Sequence, residues 1–194
     1  MKTQVLFALF GAALLVGCSA TAEETEEGVE SSSEALSAPT CAPSIASGAV
    51  PGKHRAMLDT IAFTEGTAGS CGQDGYNTGF AFNCFRSCER HPKTVWRASG
   101  ISSSAAGRYQ FLSSTWGGLG YASFSSKNQD LGALKLVSRR GVTLPTSRAL
   151  TATEFTNAMK KLSYEWASLP YSPYGQPRKS LSQTRTKYCS FAGC

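Results

Sequence analysis

Six of the seven cysteines in this chain, Cys41, Cys71, Cys84, Cys88, Cys189 and Cys194, lie in its C-terminal part and sharply restrict how that part can fold. An even set of this kind in an oxidising compartment pairs into as many as three disulfides, out of fifteen possible connectivities. Cys189 and Cys194 are close enough to form a local staple at the C-terminus. Cys84, Cys88 and His91 also have the chemistry of zinc ligands, but no convincing fourth ligand accompanies them. Disulfides are therefore expected, with no metal and no cofactor.

The seventh, Cys18, closes an apolar run over residues 5–16 that follows Lys2. The run is too short to span a bilayer as an anchor and has the charged start of a secretory leader. Leu15-Val16-Gly17-Cys18 resembles a bacterial lipobox, which makes Cys18 the lipidation site and residues 1–18 a lipoprotein signal peptide. Residues 19–40 lack aromatic residues and contain Glu23, Glu24, Glu26, Glu27, Glu30 and Glu34, so they read as a disordered acidic tether. The expected location is accordingly outside the cytoplasm: lipid-anchored at the outer membrane or in the periplasm, or else at the cell surface or secreted.

Residues 41–194 are enough for one domain with a core. Six of the thirteen acids and one of the nineteen bases precede it, which leaves 18 bases against seven acids, a net charge of +11. Such a field implies a polyanionic partner. For an exported protein the anionic bacterial wall comes before nucleic acid.

The periodicity predicts a helix over 53–65, with Met57, Leu58, Ile61 and Ala62 as its apolar stripe and Gly66 as its stop. Residues 67–100, rich in Gly, Asn, Cys and aromatics, read as a small β lobe, with 79–85 as a strand or hairpin. Further helices are expected within 104–119, over 127–140, from the Thr151/Glu154 capping box to 169, and over 178–188. The fold class is α+β, mainly α: one core, several helices and a small β lobe.

Catalytic patterns are scarce. His54 and His91 are the only histidines, and neither sits in a metallopeptidase pattern; no nucleophile elbow or phosphate loop is present. Carboxylate chemistry remains. Met57, Ile61 and Glu65 are spaced i, i+4, i+8, so Glu65 falls on the buried stripe at its last turn. Burial raises a carboxyl's pKa, as a general acid near neutrality requires, although a glutamate there can also merely cap the helix or pair with an arginine.

The stretch from Met57 to Thr67, ending Thr64-Glu65-Gly66-Thr67, resembles the start of the bacteriophage lambda endolysin family of lytic transglycosylases, which has a lysozyme-like fold. Further matches follow in order: Gly75-Tyr76-Asn77, His91-Pro92, Ala106-Gly107-Arg108-Tyr109-Gln110, Ser126-Lys127-Asn128-Gln129-Asp130, Arg140-Gly141, Trp166-Ala167-Ser168-Leu169-Pro170 and Tyr174-Gly175-Gln176. The resemblance implies that Glu65 is the catalytic acid cleaving peptidoglycan glycan strands, in a protein expected to act as a monomer. Within these motifs the side-chain chemistry places Tyr76, Arg108, Tyr109, Gln110, Tyr174 and Gln176 at the substrate, with Arg108 holding a carboxylate of Glu65 or of the substrate; Tyr109 as a core residue and Tyr174 as loop packing are the structural alternatives. The Cys-rich lobe departs from the family's pattern, and Asn77 stands where the family has Asp. A water-using muramidase, with Asp74 as its second carboxylate, and a wall binder without turnover are the competing readings.

Overall fold

The computed structural model describes residues 41–42 and 50–194; the expected leader and tether, and Cys18, lie outside them. Helix α1 (Gly52–Glu65) forms where the stripe predicts it, and Met57, Leu58, Ile61 and Ala62 are fully buried. Gly66 ends it with φ 74°, in the left-handed region, where its N–H still reaches the carbonyls of Ala62 and Phe63. Any other residue there would be strained.

Between Thr67 and Ile101 the chain departs from the expected β lobe. Residues 70–72 and 80–82 form single 3₁₀ turns, so 79–85 is not a regular strand; an antiparallel bridge between Thr78 and Cys84 closes it as a tight hairpin-like turn. The sheet lies later, as an antiparallel pair of β1 (Trp96–Ala98) and β2 (Ile101–Ser103) joined through Ser99 and Gly100, both at positive φ. Helix α2 (Ser113–Leu119) starts later than expected, because residues 106–111 are occupied by a bridge in which Ala106 and Phe111 exchange main-chain hydrogen bonds.

Three helices complete the chain: α3 (Ser126–Arg139), α4 (Ala152–Leu162) and α5 (Leu181–Ala192). Thr151 and Glu154 make the expected capping box on α4, and Ser180 with Gln183 makes a second one on α5. The helix ends at Leu162, well before 169, and the chain turns through Trp166 to Leu169. α1 packs chiefly against α5, so the two ends of the domain close on each other. Phe111, Trp116 and Phe124 form the aromatic centre, edge to face, with His91 on its margin.

The cysteines pair as Cys41–Cys88, Cys71–Cys84 and Cys189–Cys194. Cys84 and Cys88 thus belong to different bridges, and the His91 ring bonds the Phe111 carbonyl at 2.8 Å. That pairing removes the thiolates on which a zinc reading depended.

Candidate active site

Glu65 stands at the C-terminal end of α1, half-buried against the turn that follows α4. The Ser168 hydroxyl donates to its Oε1 at 2.5 Å and lies 3.2 Å from the Thr64 hydroxyl. The turn is fixed in three places. Leu169 is buried, the Trp166 indole donates to the Tyr109 carbonyl at 3.0 Å, and Lys179 N–H donates to the Ser168 carbonyl at 3.0 Å. Ser168 is therefore held in place by packing rather than left on a free loop.

Burial pushes the Glu65 carboxyl from its ordinary value near 4.5 up to about 7, although the Ser168 hydroxyl and main chain bind the charged form and pull it down. Among the described residues no ion pair includes Glu65, whereas Asp59, Asp74, Asp130, Glu154 and Glu165 each face an arginine. The site thus presents a solitary, half-protonated carboxyl at neutral pH.

Three of the residues expected at the substrate, Tyr76, Arg108 and Tyr109, are buried instead. Tyr109 is fully buried and Tyr76 nearly so; their hydroxyls both donate to Asp130 Oδ1, at 2.6 and 2.8 Å. A buried phenol must find an acceptor, and Asp130 supplies it from α3 while pairing with Arg55. Arg108 is buried too. Its guanidinium pairs with Asp59 at 2.9 Å and with Asp74, lies 5.3 Å from the centre of the Tyr76 ring, and does not hold Glu65. The Gln110 amide donates to the carbonyls of Thr78 and Gly107, both at 3.0 Å. Tyr76, Arg108 and Tyr109 are therefore framework, while Gln110 is half-buried with its amide nitrogen held by the main chain.

That framework explains the Ala-Gly-Arg-Tyr-Gln segment. The side-chain amide oxygen of Gln129 accepts from the Arg108 N–H at 2.9 Å and crosses Gly107 so closely that a Cβ there would lie 2.2 Å from it. Thr67, two residues past Glu65, donates to the Arg108 carbonyl. Arg108 thus joins the end of α1 to the 67–78 segment through Thr67, Asp59 and Asp74. Tyr174 and Gln176 are exposed on the loop after Leu169, where the Tyr174 hydroxyl donates to the Tyr164 carbonyl at 2.9 Å.

Sequence reasoning missed Ser168, Asp130 and Asp59. Ser168 lay inside a quoted motif, but no spacing rule connects it to a residue 103 positions earlier. Asp130 carried a readable signal, an acid beside the apolar positions of a predicted helix.

The Endolysin family model matches residues 55–194. The chain belongs to the endolysin family. It is 34% identical to the endolysin of Escherichia phage lambda over 132 residues, covering 64% of this chain and 81% of that protein. With the endolysin of Escherichia phage P2 it shares 31% over 155 residues, 71% of this chain and 92% of the other. Its fold is that of the bacteriophage lambda lysozyme solved in complex with a chitohexasaccharide, with a TM-score of 0.66, 28% identity, and coverage of 73% of this chain and 95% of the phage chain. The fold is thus lysozyme-like and mainly α with a small β part, and this endolysin's family supports a lysozyme-like, peptidoglycan-cleaving function. The relatives also correct the expected location. They are phage endolysins, and nothing in the match supports an exported, lipid-anchored protein at the outer membrane, in the periplasm or at the cell surface.

Proposed function

We propose that this endolysin is a lytic transglycosylase that cleaves the β-1,4 bond between N-acetylmuramic acid and N-acetylglucosamine, with Glu65 as its acid and then its base. The observation that carries this reading is the solitary, raised carboxyl of Glu65. A hydrolytic glycosidase ordinarily needs a second free carboxylate to activate water or attack the sugar. Asp59 and Asp74, the acids on the neighbouring segments, are both engaged by Arg108, and Asp74 also accepts the Gly69 N–H at 2.9 Å.

One carboxyl suffices when the nucleophile belongs to the substrate. Protonated Glu65 donates to the glycosidic oxygen as the bond to C1 breaks. The C6 hydroxyl of the same muramic acid attacks C1, and Glu65, now ionised, accepts its proton. The products are a free N-acetylglucosamine hydroxyl and a 1,6-anhydromuramic end, and no water is consumed. Tethering gives that hydroxyl a high effective concentration. Ser168, donating to Oε1, fixes the carboxyl's direction and stabilises its ionised form between the two proton transfers. Tyr174 and Gln176 offer an aromatic face and an amide to the glycan from the exposed loop.

Mass spectrometry of purified wall after digestion tests this directly. Anhydromuramic ends are the expected product. Reducing ends would overturn the transglycosylase reading in favour of a water-using muramidase. Glu65→Gln should abolish product release without altering the fold; continued release would remove Glu65 from the mechanism.

A further inference from the structure

Phe82 has the highest exposure of the large apolar side chains among the described residues, 60% open to solvent, and its ring lies next to Gly66, the residue after Glu65. It ends the 3₁₀ turn Phe80–Phe82, in which Ala81 and Phe82 both take left-handed backbone, with φ of 56° and 61°. Glycine accepts that conformation freely and these residues do not. The turn is nevertheless tightly fixed. Gly79 N–H donates to the Asn83 carbonyl at 2.6 Å, the Asn83 side chain donates to the Phe80 carbonyl at 2.7 Å, and Phe80 N–H donates to the Ala105 carbonyl at 2.8 Å. The Trp96 ring fills the space beneath Gly79, and the Cys71–Cys84 bridge spans the whole turn.

All this bracing raises an apolar ring into water instead of sinking it into the core. One edge of the ring leans over Gly66, where a Cβ would lie 3.3 Å from Phe82 Cζ. Gly66 follows Glu65 directly, so the exposed ring stands beside the end of the helix that carries the carboxyl. A rigid aromatic face in that place matches the apolar C–H face of a pyranose ring, and its cost in exposed surface is recovered when a sugar covers it. We infer that Phe82 is a sugar-stacking residue beside Glu65 and that the Cys71–Cys84 bridge positions it. The inference deepens the functional reading above and rests on it.

The test uses the full chain carrying Glu65→Gln, with chitohexaose as the probe in titration calorimetry. Adding Phe82→Ala should weaken binding about tenfold with Tm unchanged, and Phe82→Trp should restore it. Cys71→Ser with Cys84→Ser should weaken it comparably, while Cys189→Ser with Cys194→Ser should not. With Glu65 intact, Phe82→Ala should raise KM on purified wall more than it lowers kcat. Equal affinity of the Phe82→Ala protein and its parent would overturn the inference, as would a loss that Phe82→Trp fails to rescue. If the Cys71/Cys84 variant does not fold, the Phe82 variants decide alone. Wall digestion by the Glu65→Gln protein would defeat the assignment of the acid instead, and is read separately from affinity.

Discussion

On the proposed mechanism, Glu65 concentrates the chemistry of this chain in a single proton. Its carboxyl titrates near 4.5 when unfolded and at about 7 when folded, so between those values the native state holds a proton that the unfolded chain has released. Its contribution to stability is therefore full below about pH 4.5 and is lost as pH rises through 7. The shift corresponds to on the order of 3 kcal/mol. Urea unfolding at pH 4.5 and pH 8 should show that slope, and Glu65→Gln should flatten it and be the more stable protein at the higher pH. An unchanged slope would mean that the carboxyl is solvated. Ser168→Ala removes a donor to the ionised form, so the alkaline limb of the kcat/KM profile should move to higher pH. Asp130 belongs to the framework rather than the reaction. Asp130→Ala would strand two buried phenols and Arg55, and should cost about 3 kcal/mol, read as a fall in the denaturation midpoint. The position of Glu65 at the end of a buried stripe was legible because an acid there is conspicuous. The place of Tyr109 was not, because a tyrosine's sequence context does not reveal whether its hydroxyl meets a sugar or an aspartate.

The helices follow from local rules and the connecting segments do not. α1, α3 and α4 lie close to where apolar spacing, the Gly66 stop and the Thr151/Glu154 box place them. Thr151→Ala should lower stability by about 1 kcal/mol, measured by thermal melting. The residues after Gly107 read as helical from Tyr109 and Phe111, yet both are buried in a turn closed by the Ala106–Phe111 main-chain bridge and held by the side-chain amide of Gln129, far along the chain. The hairpin carried a signal that was passed over: Ser99-Gly100 between Trp96 and Ile101 is a two-residue turn of the kind that joins short strands. Disulfide connectivity has no local signature at all. Loop-closure entropy ranks the three bridges by their separations of 47, 13 and 5 residues. Replacing both cysteines of a pair by serine should cost about 4, 3 and 2 kcal/mol in that order, which denaturation of each double variant checks.

At the scale of the molecule, charge and connectivity act over longer distances. The net +11 of residues 41–194 should hold the endolysin on the anionic wall at low ionic strength. Raising salt from about 0.05 M to about 0.5 M should release it into the supernatant of a wall-sedimentation assay. Binding that ignores salt would assign attachment to sugar contacts alone. Lys179 and Lys187, each 5.6 Å from the Phe63 ring near the end of α1, contribute to that field close to the site. α1 is covered by α5, and the hydroxyl on Glu65 comes from residue 168, itself tied to residue 179. A ribosome that has released only the first hundred residues has therefore made a glutamate with an ordinary, hydrated carboxyl. The enzyme arms itself only as its final helix docks, and in refolding, helical signal should return before lytic activity does.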